Sequence, residues 1–378
     1  MTIAPSAADS RRFPRQRHAA RWGSRRPHHP RWMRTDGRAR VRRSPWVIEQ
    51  YNCWFMASSL KKLDLIDLAS VPLFIATMIA EAVVLKKREK RRIGDLADAD
   101  LDVLSGTHLP ADPLMPLGYE RKDTTASLSM LVGSVAAGLA TAALLEKLDG
   151  AVFRRRFSEI GSQRGALIGA IVVWDFLYYW NHRLMHEVRV LWANHVSHHS
   201  SEHYNLSTAL RQPWSGLTMA WIFAPMPLLG FSAKTTFRAG QLNLLYQYWI
   251  HTETIDRLPA PIENVFNTPS HHRAHHGANQ QYLDKNYGGI LIVWDKLFGT
   301  FEPEVRRIKY GLTKNIATYN PLRIAYHEYA AVVHDVRAAK GLRRKLGHVF
   351  GRPGWTPRQP AEGHITQARV DAVTPTAG

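Results

Sequence analysis

The chain contains a single cysteine, Cys53, among 378 residues. One cysteine excludes a disulfide framework, a cysteine-based zinc site and an iron–sulfur cluster. The sequence also lacks H-E-x-x-H, because His186-Glu187 is not followed by a second histidine at the required spacing, so a zincin protease is not indicated. It carries neither a G-x-S-x-G nucleophile elbow nor a Walker loop. Any chemistry must therefore come from other residue types.

Positive charge is unevenly distributed along the chain. Lys and Arg total 50 against 31 Asp and Glu, a net charge of +19, and residues 1–43 contribute +11 of it through thirteen arginines. Residues 1–45 have almost no apolar periodicity, which predicts a disordered basic tail. Attraction to anionic lipid, nonspecific nucleic-acid contact and no role at all remain open for it, but no nucleic-acid-binding module accompanies it. Residues 341–378 are predicted to form a polar C-terminal tail.

Several apolar segments are long enough to cross a bilayer, which takes about 20 residues. Segments 124–145 and 212–233 carry no charge, and 68–85 and 165–180 are further candidates. Segment 239–250 is apolar but short, which suits a re-entrant helix. We therefore predict an all-α integral membrane bundle with about four spans and a re-entrant hairpin. Buried core helices of a soluble protein are the alternative, favoured only by the mean hydropathy of −0.27.

Histidines are concentrated in one region, with eleven of the 19 lying between His182 and His276. They form an H-x-x-x-H cluster, two H-x-x-H-H clusters and one isolated histidine, all at the ends of apolar segments. Helical spacing of three or four residues places imidazoles on one face, where they can share a metal ion. The number exceeds what one tetrahedral zinc ion uses and suits two ions. The predicted metal ligands are His182, His186, His195, His198, His199, His251, His272, His275 and His276.

The remaining histidines and nearby polar residues are weaker candidates. His203 and His271 each duplicate a neighbour already placed by the repeated spacing. Asp175 lies seven residues before His182, so its carboxylate is placed to orient a ligand imidazole. Glu202 and Asn205 are candidates to support the second cluster or bind a metal-bound water. We take Asp175, Glu202 and Asn205 as candidate catalytic residues, with capping or turn roles as the alternative.

The histidine clusters and their flanking residues resemble a known family. The segments that carry the resemblance are 174–183, 191–205, 207–212, 267–277, 282–301 and 310–313. Together they are similar to the fatty acid hydroxylase/sterol desaturase superfamily of integral membrane diiron oxygenases, and most similar to its alkylglycerol monooxygenase-like branch. His203 departs from the family, which usually has a tyrosine there.

The resemblance implies a function. It implies two iron ions, O2 as co-substrate, an external electron donor, and hydroxylation of a fatty acyl, sterol-like or alkylglycerol ether C–H bond in a membrane lipid. It places the histidine clusters on a cytosolic helical cap, so the active site faces the cytosol. The expected catalytic domain covers 46–340, with its core at 165–315. A zinc-dependent membrane hydrolase and a metal-binding membrane protein are the alternatives.

Overall fold

The computed structural model describes residues 65–98, 118–160, 164–215 and 220–357. In these ranges the regular structure is helical, and the only strand-like feature is an isolated antiparallel bridge between Phe266 and Leu291. The expected all-α class is therefore correct for the described part of the chain. The predicted basic tail at 1–45 lies outside the described residues.

Eleven α-helices are present in the described part of the chain. They are α1 (Leu65–Asp98), α2 (Arg121–Phe153), α3 (Arg164–Glu187), α4 (Arg189–His199), α5 (Pro225–Leu228), α6 (Ala233–Ile250), α7 (Ala260–Val265), α8 (Pro269–His275), α9 (Val293–Phe298), α10 (Pro321–Ala338) and α11 (Leu342–Phe350). Single 3-10 turns at Thr208–Leu210 and Trp221–Phe223 connect them.

Two helices are long and apolar enough to cross a membrane by length and composition. Ala69–Arg91 in α1 has a mean hydropathy of 1.7, and Arg121–Leu145 in α2 has a mean hydropathy of 2.0. Only 17% and 11% of their apolar windows are buried within the protein, so most of these side chains face outward. A core helix of a soluble protein would bury them, so the exposed apolar surface favours contact with lipid. Two of the four predicted spans therefore meet this test.

Segment 212–233, one of the candidate spans by length and lack of charge, is not one continuous helix. After the described residues up to Ser215, the chain resumes in the short turn Trp221–Phe223 and the four-residue helix α5. Pro225 and Pro227 cannot donate a backbone hydrogen bond, and Gly230 has a φ of +90°. The helix that follows begins at Ala233, so the short segment predicted at 239–250 is the second part of α6.

Helices α3 and α6 pack along one another and bring their carboxyl ends together. Their contact is built around a cluster of buried apolar side chains: Ala170, Trp174, Met226, Phe231 and Ala239. Gly240 allows α6 to approach closely, because a Cβ there would lie 3.1 Å from Nε1 of Trp174. The ends of both helices carry histidines, so this packing assembles the site.

The predicted polar tail from residue 341 is only partly correct, because α11 and the residues after it pack onto the domain. The Arg189 N–H donates to the Gly351 carbonyl at 2.9 Å. The Arg352 guanidinium lies 3.4 Å from the Glu187 carboxylate and 3.8 Å from that of Asp284. Polar composition concealed this packing because it uses backbone groups and ion pairs rather than an apolar face.

We predict that Gly133→Ala destabilises the fold whereas Gly165→Ala does not. A Cβ at Gly133 would lie 2.1 Å from the Trp214 ring, and that ring is held by a hydrogen bond from its Nε1 to the Met130 carbonyl at 2.9 Å. We expect a loss of about 1–3 kcal/mol, typical of overpacking. Gly165 has no atom within 4 Å of its Cβ position and is the matched control.

Thermal unfolding of the two purified variants in the same detergent measures this difference. An equal melting temperature for Gly133→Ala and the parent protein would contradict the packing of Trp214 against α2.

Candidate metal centre

Nine buried histidines converge at one end of the helical domain. Their ligand-type nitrogens form a group of five and a group of four, and within each group these atoms lie within 4.8 Å of one another. The five-histidine group contains His182, His186, His195, His199 and His275, and the four-histidine group contains His198, His251, His272 and His276. The structure thus brings together the nine residues predicted as metal ligands.

Four helices deliver these side chains. Helix α3 ends with His182 and His186, one turn apart, and α4 carries His195, His198 and His199 in its last two turns. His251 is the residue immediately after α6, and α8 supplies the last three histidines at its carboxyl end. Histidines four residues apart share a group, because they lie on one helix face. Histidines that are three residues apart or adjacent, such as His198 with His195 or with His199, are divided between the two groups.

The five-histidine group is organised around His195. Its Nε2 lies 3.0 Å from Nε2 of His182 and 3.1 Å from Nε2 of His199. The Nε2 atoms of His186 and His275 are buried and have no hydrogen-bond partner. Buried polar atoms without partners are costly and rare in folded proteins. These unpartnered nitrogens indicate that the five histidines bind a ligand such as a metal ion between them.

The four-histidine group likewise combines short distances between Nε2 atoms with a buried nitrogen that has no partner. Nε2 of His251 lies 3.2 Å from Nε2 of His198 and 2.9 Å from Nε2 of His272. Nε2 of His276 is buried without a partner. The two groups adjoin, because the rings of His199 and His276 stack with centroids 4.4 Å apart. The arrangement therefore offers two neighbouring sets of imidazole nitrogens.

Backbone carbonyls fix the orientation of several rings. Nδ1 of His182 donates to the Tyr287 carbonyl at 2.9 Å, Nδ1 of His251 to the Gln247 carbonyl at 2.7 Å, and Nδ1 of His275 to the Lys285 carbonyl at 2.8 Å. Since a carbonyl only accepts, Nδ1 carries the proton and Nε2 keeps its lone pair. Metal-binding histidines are commonly oriented in this way.

The electrostatic environment keeps the imidazoles neutral. Burial lowers the pKa of all nine histidines, and for His198 it lowers the pKa to about 4. For most of them, the neighbouring histidines lower the pKa further, because adjacent imidazolium charges repel. Neutral imidazole is the form that binds a metal ion. The residues therefore fit a pair of nitrogen-bound metal ions.

Asp175 acts on the centre indirectly, which corrects the prediction that its carboxylate reaches an imidazole. Its oxygens accept hydrogen bonds from the backbone N–H groups of Ile290 and Leu291 at 2.7 and 3.1 Å, and from Nε1 of Trp294 at 2.9 Å. A Cβ on Gly289 would lie 2.6 Å from the carboxylate, so only glycine permits this approach. Asp175 anchors the loop whose Tyr287 carbonyl orients His182.

Asp295 holds the same turn from the other side. Its carboxylate accepts from the backbone N–H groups of Tyr287 and Gly288, both at 2.7 Å, and from Thr300 Oγ1 at 2.7 Å. Asp295 therefore fixes the backbone around Tyr287 in the loop after the last histidine cluster.

The predicted catalytic roles of Glu202 and Asn205 are not supported by their contacts. Glu202 is exposed. Asn205 is buried and forms a turn, with its Oδ1 accepting from the N–H and Oγ of Ser207 and its Nδ2 donating to the Gly118 carbonyl. Both residues follow the second histidine cluster in sequence, yet it is the ring of Tyr204 between them that meets the centre, with its centroid 5.1 Å from that of His276.

The two weaker histidine candidates lie outside both groups. Nε2 of His271 is 2.9 Å from the Glu263 carboxylate, so this ring is directed away from the other histidines of its cluster. His203 is half-buried and contributes to neither group. Duplication of a neighbour in the sequence was therefore a sound reason to rank both lower.

Sequence reasoning missed the role of Glu81 within the first candidate span. Its carboxylate accepts from the hydroxyls of Tyr119 and Thr252 at 2.5 Å each, and from the Leu206 N–H at 2.8 Å. Leu206 follows the second histidine cluster, and Thr252 is the residue after His251. Glu81 thus ties α1 to two histidine-bearing segments. A lone carboxylate in an apolar helix is the signal that could have identified it.

A buried ion pair ties α2 to α4 in a comparable way. Nη1 of Arg211 lies 2.8 Å from the Asp123 carboxylate, and Nε of Arg211 donates to the Ser197 carbonyl at 3.2 Å. The Arg211 carbonyl in turn accepts from Nδ1 of His198 at 3.3 Å. Arg211 therefore connects the start of the second candidate span to the four-histidine group.

Two cavities reach the histidines from different sides. An apolar cavity of about 200 Å³ is lined by Phe74 of α1 and by Leu131 and Val135 of α2, and it ends at His195, His198 and His251. A larger cavity of about 1010 Å³ reaches four other histidines: His186, His199, His275 and His276. Its lining includes the exposed basic residues Lys314 and Arg323. The histidine groups therefore border two cavities, of which the larger carries basic side chains.

A helical domain that buries two adjoining imidazole groups beside lipid-facing helices defines a class of membrane metalloprotein. Comparison with protein families agrees with the predicted resemblance. Residues 167–300 match the fatty acid hydroxylase family. This segment contains each of the nine histidines. Residues 167–300 are therefore similar to a fatty acid hydroxylase domain.

Individual relatives refine the comparison. The chain is 49% identical to human alkylglycerol monooxygenase over 190 residues, which cover 50% of this chain and 42% of the human protein. It is 48% identical to alkylglycerol monooxygenase of Danio rerio over 193 residues, covering 50% and 43%. Ornithine lipid hydroxylase OlsE of Rhizobium tropici is 28% identical over 158 residues, covering 39% of this chain and 45% of that protein. The chain thus matches less than half the length of these relatives. No solved structure matches it.

The lowered histidine pKa values predict acid sensitivity of the metal-free protein. Unfolded histidines bind protons below about pH 6.5, whereas the buried ones stay neutral down to lower pH, to about 4 for His198. Between these pH values the unfolded state binds more protons than the folded state. The free energy of unfolding is therefore highest above about pH 6.5 and falls as the pH drops toward 4. Urea unfolding of the metal-free protein at a series of pH values measures this. Stability that did not change over this interval would contradict neutral burial of the histidines.

Proposed function

We propose that the protein is a membrane-bound non-haem diiron lipid hydroxylase that uses O2 and an external electron donor. The observation that carries the proposal is a cluster of nine buried, neutral imidazoles, three of which line an apolar cavity that both candidate membrane spans also line. The relatives named alkylglycerol monooxygenase make the ether-linked carbon of an alkylglycerol the first substrate to test.

The five-histidine and four-histidine groups would each hold one iron ion, mainly through Nε2. Bound iron supplies the redox chemistry that activates O2. The chain's own contribution is to orient the rings through the carbonyls of Tyr287, Gln247 and Lys285, and to exclude water by burying them. Imidazole suits several transition metals, so the choice of iron rests on the family comparison.

The apolar cavity accounts for a lipid substrate. Its walls come from α1 and α2, whose outer surfaces suit lipid, and it leads inward to His195, His198 and His251. An alkyl chain entering from the bilayer would stay in apolar surroundings until it reaches the centre. The larger cavity, which reaches other histidines and includes Lys314 and Arg323 in its lining, would give the electron donor access without crossing the lipid path.

We also propose that the histidine end of the domain faces the cytosol. Arg88, in the basic run after the apolar part of α1, donates to the carbonyls of Glu253 and Thr254 at 2.9 Å each, close to His251. Basic residues flanking a span favour the cytosolic side. Exposed Glu202 and Gln280, each changed to Cys in a Cys53→Ser background, should both react with an impermeant thiol reagent from the cytosolic side. Reaction from the opposite side would contradict this orientation.

Each of the nine histidines should be needed for metal binding. Replacing any one with Ala should lower the iron content of the purified protein and reduce turnover by about a hundredfold or more, consistent with the cost of disturbing a metal site. His334, whose side chain is 82% exposed, is the matched control and should keep both properties when changed to Ala. Full iron content and activity in two or more of the nine variants would refute the ligand assignment.

Labelled oxygen tests the reaction itself. The iron-loaded protein, reconstituted with an alkylglycerol and a reductant, should place one oxygen atom from isotopically labelled O2 into the product, as measured by mass spectrometry. A zinc-dependent hydrolase would instead take the oxygen from labelled water and would work without O2. Product formation under anaerobic conditions would therefore reject the oxygenase.

A further inference from the structure

Helix α11 (Leu342–Phe350) presents an unpartnered apolar stripe to the outside. Leu342, Leu346 and Phe350 are 71%, 45% and 62% exposed, respectively. Their spacing of four residues places them on one face of this nine-residue helix. Three large apolar side chains in a row on one short helix form a contact surface rather than scattered exposure.

The rest of the helix surface is basic or is used for packing. Arg343, Arg344 and Lys345 are exposed, and none of them forms an ion pair within the part of the chain that the structure describes. The helix contains no acidic residue. Its opposite side docks on the domain through His348, whose Nδ1 lies 3.5 Å from Nη1 of Arg189 and whose ring meets that of Trp355. The apolar stripe is therefore turned away from the protein.

The position of the helix in the fold indicates what covers this stripe. Helix α10 forms a pair with α11 and packs against the first turns of α2 through a cluster of Ala126, Met130, Ile324 and Ala325. The candidate span in α2 begins at Arg121, so α10 lies at the span end nearest the histidines. Leu322 of α10, 62% exposed, adds apolar surface near this end.

We propose that α11 is an interfacial helix that binds an anionic bilayer surface, with its apolar stripe at the acyl boundary and its basic residues on lipid phosphates. A short amphipathic helix with a basic polar face is suited to this environment. The contact would hold the α10–α11 pair at the membrane, and α10 forms part of the wall of the larger cavity through Arg323, Tyr326 and His327. The proposal does not depend on the oxygenase chemistry.

Fluorescent labels on single cysteines test the proposal in the full-length protein. In a Cys53→Ser background, Leu346→Cys and Arg344→Cys place a label on the two sides of α11. The protein is reconstituted into vesicles of phosphatidylcholine and phosphatidylserine carrying nitroxide-labelled lipid. The label at 346 should be quenched about twofold or more strongly than the one at 344, since an interfacial helix buries its apolar face about 5–10 Å deep.

Charge supplies the second part of the test. Neutralising Arg343 and Lys345 to Gln should weaken quenching at 346 in vesicles with phosphatidylserine, by about fivefold in partitioning for each charge lost, and change little in pure phosphatidylcholine. Equal quenching at 344 and 346 would overturn the proposal. So would a label at 346 that is shielded from water-soluble quencher but not reached by lipid nitroxide, because a protein segment would then cover the stripe.

Discussion

The structure depends on keeping nine imidazoles buried and uncharged at one place. Burial lowers the pKa of each, and the Asp284 carboxylate, 3.7 Å from Nδ1 of His186, offsets this lowering of the His186 pKa only in part. Backbone carbonyls accept hydrogen bonds from the Nδ1–H groups of His182, His251 and His275. Several Nε2 atoms have no hydrogen-bond partner within the protein. Unpaired buried nitrogens are unfavourable unless something binds them. A metal ion bound at each group, as proposed above, would satisfy these nitrogens.

The carboxylates within the helices serve this arrangement by fixing the segments that carry histidines. Glu81 connects α1 to the chain after His251, and Asp175 connects α3 to the loop that orients His182. The Asp123–Arg211 pair does the same for His198. Each of these groups is buried and paired, so removing one partner would leave an uncompensated polar group at a cost of about 3–5 kcal/mol. Buried polar contacts thus connect the candidate spans directly to the segments that carry the histidines.

The sequence was sufficient to predict that these nine histidines lie together, because their spacing of three or four residues has a direct consequence on a helix. It was not sufficient to predict the contacts of Asp175 or Asn205. Their distance along the chain from a histidine does not reveal which loop packs against their side chains. Segment 212–233 was misread because uncharged composition satisfied the length test while its prolines broke the helix. The packing of Gly351 and Arg352 was missed because backbone and ion-pair contacts leave no hydrophobic pattern.

The central claim is that the two histidine groups hold two neighbouring iron ions. Mössbauer spectroscopy of the iron-loaded, oxidised protein tests it most directly. The account predicts two ferric ions per chain in nitrogen-rich sites, coupled to each other so that the pair has no net spin at low temperature. A spectrum of isolated, uncoupled iron, or of one ion per chain at full loading, would contradict it.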